Sequence, residues 1–308
     1  MPGRRAVFPI SCLLLSLPAV AAAAPAATTS RYMQTTSGTT LYNEGKSMAQ
    51  AGRSGLVVLD FGQPWYSGGL YGTIIYGSLT FRSTSDIALA AENFARGFQD
   101  YSTSGMFLKL GIGTSNYYGY TGTAHGQAWA AMVNTVNNYI TANGLSRVQA
   151  RGADDIEPWC NSSGCTSPTT GRAWVDGFSS GTSAPMYNYG SADGCPPYGS
   201  CNGSWRQDDF YYVSWRNSNA WPVPEIYATG GANATQWQQI SKYGYNTYGA
   251  AMTFLGSFTQ YAACSGGGCS GTNNTPSAGW TQLYNAINSD PATAQSTLDY
   301  STDITWAN

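Results

Sequence analysis

Compact apolar runs alternate with amphipathic stretches along 308 residues, and no glycine-rich nucleotide turn follows the first of those runs. Together these observations predict an α/β fold, a TIM-type (β/α)8 barrel with some irregularity. Length agrees, because about 280 residues remain after an N-terminal leader, close to the size of such a barrel. A doubly wound open sheet is the alternative fold. Its phosphate-binding fingerprint is missing from the first turn, Asp60-Phe61-Gly62-Gln63-Pro64-Trp65.

Residues 1–27 read as a secretion signal, with Arg4 and Arg5 before the apolar run Ala6 to Val20 and small residues from Ala19 to Ala27. Some 15 apolar residues are too few to span a bilayer, and no later run is long enough either. Residues 28–308 form a single β/α-barrel domain in this reading. Gly55–Phe61 is the first clear strand and ends in an acid at Asp60. Tyr71–Phe81 reads as a hairpin or excursion. Thr84 is a plausible N-cap for a helix over Ser85–Tyr101, whose Ile87, Ala91, Phe94 and Phe98 share one face. Met106–Gly113 is the next strand, and Ala124–Asn143 a helix stopped by Gly144. A strand over Arg147–Glu157, a weak helix over Thr169–Phe178 and a strand over Ala184–Tyr189 follow. Asp209–Trp215, Val223–Ala228 and Ala250–Phe258 read as three more strands, with helices starting near Asn233 and over Ser277–Ser289. Seven strands are clear, one short of a full barrel.

Composition excludes several functions. Charged residues are 10% of the chain, against roughly 25% in an average domain. The net charge of −2 leaves no basic footprint for nucleic acid. A single histidine cannot furnish a histidine-rich metal site, and neither a metal nor a cofactor is expected. That histidine, His125, reads as a surface or capping residue, and no Gly-x-Ser-x-Gly elbow is present. Six cysteines outside the leader fall into close pairs, Cys160 with Cys165, Cys195 with Cys201 and Cys264 with Cys269. Short Gly/Ser/Pro-rich loops favour three local disulfides and an extracellular protein. The expected product is a secreted monomer with a glycan partner.

Barrel active sites form at the carboxyl ends of the strands. That rule selects Asp60 and the acids of Ala153-Asp154-Asp155-Ile156-Glu157-Pro158-Trp159. Strand alternation puts Asp155 and Glu157 on one face, about 6.5–7 Å apart at the backbone, and Asp154 on the other. Neighbouring acids raise one another's pKa, so one can stay protonated and donate to a glycosidic oxygen. The competing structural reading has these acids capping the next helix or pairing with Arg151, Arg172 or Arg206. Asp154 and Glu225 are the alternative catalytic acids. The prolines beside Glu225 suggest a strand start, at the wrong end of the barrel. Sugars stack on flat rings and bond amides and phenols, which makes Gln63, Trp65, Trp159, Tyr187, Tyr212 and Trp215 candidate substrate contacts.

Leu59-Asp60-Phe61-Gly62-Gln63 followed after 95 residues by Asp155-Ile156-Glu157 resembles the family 25 glycoside hydrolases (secreted lysozymes) and their barrel relatives. Tyr211-Tyr212-Val213-Ser214-Trp215 resembles their later aromatic strand, and Gln236-Trp237 their terminal Trp-Gln pair in reverse order. The resemblance implies Glu157 as general acid, Asp155 as partner carboxylate and Asp60 as a site-shaping acid. The functional expectation is a secreted glycoside hydrolase acting on a polysaccharide such as a cell-wall glycan; the alternative is a non-catalytic carbohydrate-binding or host-interaction barrel.

Overall fold

The computed structural model describes residues 22–115, 121–158, 160–161, 164–195, 201–265 and 268–307. The expected leader therefore lies, up to residue 21, outside the described residues. Eight parallel strands form the barrel: β1 (Thr28–Tyr32), β2 (Gly55–Asp60), β3 (Leu108–Ser115), β4 (Val148–Asp155), β5 (Met186–Asn188), β6 (Ala220–Pro222), β7 (Gly256–Thr259) and β8 (Tyr300–Trp306). Their order around the sheet is β6-β5-β4-β3-β2-β1-β8-β7. The ring is completed beyond β6, where Leu255 N donates to Pro222 O, Phe258 N to Pro224 O and Ile226 N to Phe258 O, at 2.8–3.0 Å. Pro222 and Pro224 lack N–H groups, so this seam carries scattered bonds rather than a full ladder.

Seven helices cover the outside: α1 (Gly38–Gln50), α2 (Thr84–Tyr101), α3 (Thr123–Ala142), α4 (Pro168–Gly181), α5 (Gln207–Tyr211), α6 (Ala232–Tyr248) and α7 (Pro276–Asn288). The large apolar core lies between helices and strands. A smaller one fills the barrel, where Leu56, Val58, Ala153, Tyr187, Tyr189, Val223, Phe258 and Ile304 meet. Gly111 makes room for it, since a Cβ there would press to 3.2 Å on the Tyr187 ring. No helix among the described residues is long and apolar enough to cross a membrane.

Three sequence expectations need correction. The missing strand is two strands, β1 and β8, because 209–215 is not a strand. That segment is α5 followed by a π-helical turn over Tyr212–Arg216. Asp209 starts it by accepting from Arg206 N, and Arg172 binds both Asp208 and Asp209. Phe210 then packs against Trp205 and Trp237, so packing overrides the strand preference of the aromatic run. The strand expected over 223–228 starts earlier, at Ala220, which places the two prolines at its end.

The expected excursion is a three-stranded antiparallel sheet, Gln63–Ser67, Leu70–Ile74 and Phe81–Ser83, inserted after β2. Its hairpin turns on Gly68 and Gly69, both at positive φ. His125, expected at the surface, is buried and ties this sheet to α3 and α4. Its Nδ1 accepts from Trp174 Nε1 at 2.9 Å, so Nε2 carries the proton and donates to Gly72 O at 2.9 Å. Burial pushes its pKa down to about 4.

The unfolded chain, with an ordinary histidine near pKa 6.5, takes up that proton first. Stability should therefore fall as pH drops from about 6.5 to 4, by about 3 kcal/mol in all. The check is the difference in unfolding free energy between wild type and His125→Phe across pH 4–8. It should slope in that window and be flat above it; a flat difference throughout would mean that His125 is not held neutral.

Candidate active site

Four acids meet at the carboxyl mouth of the barrel, and strand alternation explains three of them. Asp60 follows inward-facing Leu56 and Val58 on β2. Asp155 follows inward-facing Ala153 on β4, and Glu157 continues that alternation past the strand. Glu225 follows inward-facing Val223 and bridges to Phe258 across the barrel seam. One carboxylate oxygen from each of Asp155, Glu157 and Glu225 lies within 4.8 Å of the other two.

Asp60 is fully buried and both its oxygens accept hydrogen bonds, Oδ1 from Gly62 N at 2.8 Å and Oδ2 from Tyr76 Oη at 2.9 Å. Burial outweighs these bonds and raises its pKa to about 6. Asp155 is partly exposed, yet its Oδ1 is buried without a partner. Burial, then the charges of Glu157 and Glu225, push its pKa well above the carboxylate range. Burial and Glu157 do the same to Glu225. Burial also raises Glu157, opposed by a hydrogen bond from Ser191 Oγ at 2.8 Å. No Lys or Arg pairs with Asp60, Asp155 or Glu225 among the described residues. The three clustered carboxylates are also close enough together to chelate a divalent cation.

Rings surround the acids. Tyr32 at the end of β1 lies with Tyr76 and Trp306 in mutual contact, at centroid distances of 4.6–5.6 Å. Trp306 ends β8 and keeps 45% of its surface exposed, a flat face at the mouth. Tyr189 donates to Thr114 O at 3.1 Å, and its pKa is raised by burial and then by Asp60 and Asp155. Burial and Glu225 similarly raise Tyr227, whose buried hydroxyl lies between Glu225 and Tyr32. Sequence reasoning missed all five rings.

The structure brings Asp60, Asp155 and Glu157 together and adds Glu225, which the sequence had placed at the wrong end. Gln63 and Trp65 stand on the excursion that leaves the same rim. Asp154 faces the helix layer, as Gly152 beside Phe178 does, and is fully buried with neither oxygen partnered. Tyr187 lies deeper, inside the barrel core. Tyr212 sits in the helix layer, bonded to Asp176 and beneath the guanidinium groups of Arg172 and Arg216. Trp215 packs on Trp221. Both were expected on a strand, and the helical path of 207–216 turns them away from the mouth. Trp159 lies outside the described residues. Cys195–Cys201 and Cys264–Cys269 are disulfides. The backbone pairs Cys160 with Cys165 across a two-residue ladder, but their side chains lie outside the described residues.

No family model matches the chain, and no curated protein matches it. Among solved structures, a GH18 chitinase from Pseudoalteromonas aurantia aligns with a TM-score of 0.43 at 11% identity, covering 92% of this chain and 94% of that one. A sugar phosphate isomerase/epimerase from Parabacteroides distasonis gives 0.41 at 11% identity over 94% and 90%. The catalytic domain of a Bacillus sp. GH26 endo-β-1,4-mannanase gives 0.35 at 13% identity over 89% and 82%. None of these three is a family 25 enzyme.

Asp60 supplies a test of the site's electrostatics. With a folded pKa near 6 and an unfolded value near 3.9, its ionisation weakens the fold as pH rises through that interval, by about 3 kcal/mol. Asp60→Asn should therefore gain stability relative to wild type between pH 4 and 6 and hold that gain at pH 8. Denaturant unfolding at the three pH values reads it, and an equal offset at all three would refute the assignment.

Proposed function

We propose that this chain is a secreted glycoside hydrolase that cleaves a polysaccharide, such as a cell-wall glycan, by carboxylate acid catalysis. The observation that carries this reading is the convergence of Asp155, Glu157 and Glu225 within 4.8 Å at the barrel mouth. Acids crowded together in a buried site retain protons near neutral pH, so one group can donate while a neighbour stays ionised.

Glu157 is the proton donor in this scheme, because it is partly exposed and its pKa is raised. Its proton passes to the glycosidic oxygen as the bond from that oxygen to the anomeric carbon breaks, and the bonding pair leaves with the oxygen. Asp155 or Glu225 stabilises the cationic sugar carbon or bonds to it. Water then adds at that carbon, any bond to the carboxylate breaking with its electron pair returning to the carboxylate oxygen, and gives a proton back to ionised Glu157. Carboxyl groups about 5 Å apart suit retention of anomeric configuration, whereas inversion needs roughly 6.5–9.5 Å to seat a water. Asp60 contributes charge from below. Trp306, with Tyr32 and Tyr76 behind it, supplies a flat face for the apolar side of a sugar ring.

Screening against peptidoglycan, chitin and plant polysaccharides should find a glycan that the wild-type protein cleaves. Glu157→Gln should then lose at least about 100-fold in kcat. Wild-type rates on that glycan from Glu157→Gln would overturn the assignment. Glycan retention without product release would instead mark a non-catalytic binding barrel. Hydrolysis should survive EDTA; loss that calcium or magnesium restores would assign the three carboxylates to a metal.

A further inference from the structure

Building on the reading of Glu157 as proton donor, we propose that Ser191 is a positioning residue that holds the Glu157 carboxyl in its working orientation through a neutral hydrogen bond. Ser191 lies three residues beyond β5, is 3% exposed, and donates from Oγ to Glu157 Oε2 at 2.8 Å. A serine buried at a strand exit beside a carboxyl group needs a rigid backbone to keep that distance, and the surrounding contacts provide one.

Asn188, the last residue of β5, accepts at Oδ1 from Ile156 N at 3.3 Å and from Gly190 N at 3.1 Å. One buried amide thus ties the exit of β4, which carries Glu157, to the exit of β5, which carries Ser191. Asn188 Nδ2 is in turn held by Ser214 Oγ at 2.7 Å. The two exits touch at Gly190, where a Cβ would stand 2.5 Å from Ile156 O. Downstream, Cys195 N donates to Ala192 O, Asn202 N donates to Asp193 O, and the Cys195–Cys201 disulfide closes the loop.

The chemistry of the donor matters as much as its place. Acids that face Glu157 include Asp155 at the exit of its own strand, Asp193 on the β5 loop and Glu225 across the mouth. A lysine or arginine at position 191 would orient the carboxyl group but fix it as the anion, removing the proton it has to give. A hydroxyl can orient it in either protonation state, because it both donates and accepts.

The test compares Ser191→Ala and Ser191→Thr with wild type as full chains. One readout is a carbon NMR titration of the Glu157 carboxyl, assigned through Glu157→Gln; the other is the pH profile of kcat/KM on the glycan that wild type cleaves. Removing a hydrogen bond to the anion should raise the midpoint of Glu157, and with it the alkaline limb of the profile, by about one pH unit. Ser191→Thr, which keeps the hydroxyl, should restore both. If Ser191→Ala does not fold, Ser191→Cys, with a weaker donor, should give the same shift at smaller size. An unmoved midpoint and limb in the Ala or Cys variant would overturn the proposal, as would a Thr variant that fails to restore them. The two readings fail separately: a wild type that cleaves no glycan sinks the hydrolase, while the NMR midpoint still decides Ser191.

Discussion

Burying carboxyl groups close together is the constraint on which the mouth of this barrel is built. Removing one carboxylate from water costs several kcal/mol, and neighbouring anions add repulsion. Ion pairing would remove the cost but would also fix the charge. Neutral donors offset part of it here: a backbone amide and a tyrosine hydroxyl for Asp60, and a serine hydroxyl for Glu157. The remaining penalty appears as raised pKa values, which keep protons on a site lacking the histidine that would ordinarily carry them. Architecture that looks incidental then has a purpose. The excursion after β2 delivers Tyr76 to Asp60, and the loop after β5 delivers Ser191 to Glu157.

The sequence revealed the fold where the barrel interior is apolar and hid it where the interior is polar. β2 reads at once because Leu56 and Val58 face inward and Val57 and Leu59 face the helices. β1 and β8 escaped notice because their inward side chains include Thr28, Ser30, Tyr32 and Thr302. There the interior is closed by a Ser30–Thr302 hydroxyl pair at 2.8 Å, and Ser30 also takes the amide of Val58. Helix α1 was silent for a related reason: its buried stripe is Leu41, Gly45 and Ala49, and at Gly45 the absence of a side chain makes the contact, with a Cβ only 2.1 Å from Phe94 O. The opposite error, reading Asp209–Trp215 as a strand, came from trusting β-branched and aromatic residues whose preference yields to packing.

The candidate site divides along the same line. Asp60, Asp155 and Glu157 could be picked out because each interrupts or ends an apolar run, where a carboxyl has no reason to be unless it meets solvent, a partner or a ligand. Glu225 gave no such signal. Its prolines belong to the seam that completes the ring, and only the start of β6 at Ala220 shows that Pro222 ends the strand and Pro224 follows it. The rings could not be singled out either. Tyr32 and Trp306 are separated by 274 residues but become neighbours because β1 pairs with β8. In a chain with 22 tyrosines, nothing local distinguishes Tyr32, Tyr76, Tyr189 or Tyr227 from core packing.

Reach and charge separate the acids into different duties. Asp60 has no exposed surface, and each of its oxygens already accepts a bond, so it can act on a ligand only through its field. Asp154 is equally buried but turned toward the helices, with no partner for either oxygen, where a neutral carboxyl is the least costly state. Asp155 and Glu157 keep some exposure, and Glu225 completes their triangle from across the seam. Asp60 and Asp154 cannot reach a ligand, which leaves the triangle as the mouth acids that can. Within it, Glu157 accepts from Ser191 Oγ at 2.8 Å and Glu225 from the Tyr227 hydroxyl, so neutral donors hold two of its three carboxyl groups. Such donors orient a carboxyl group without fixing it as the anion, so each can still exchange a proton.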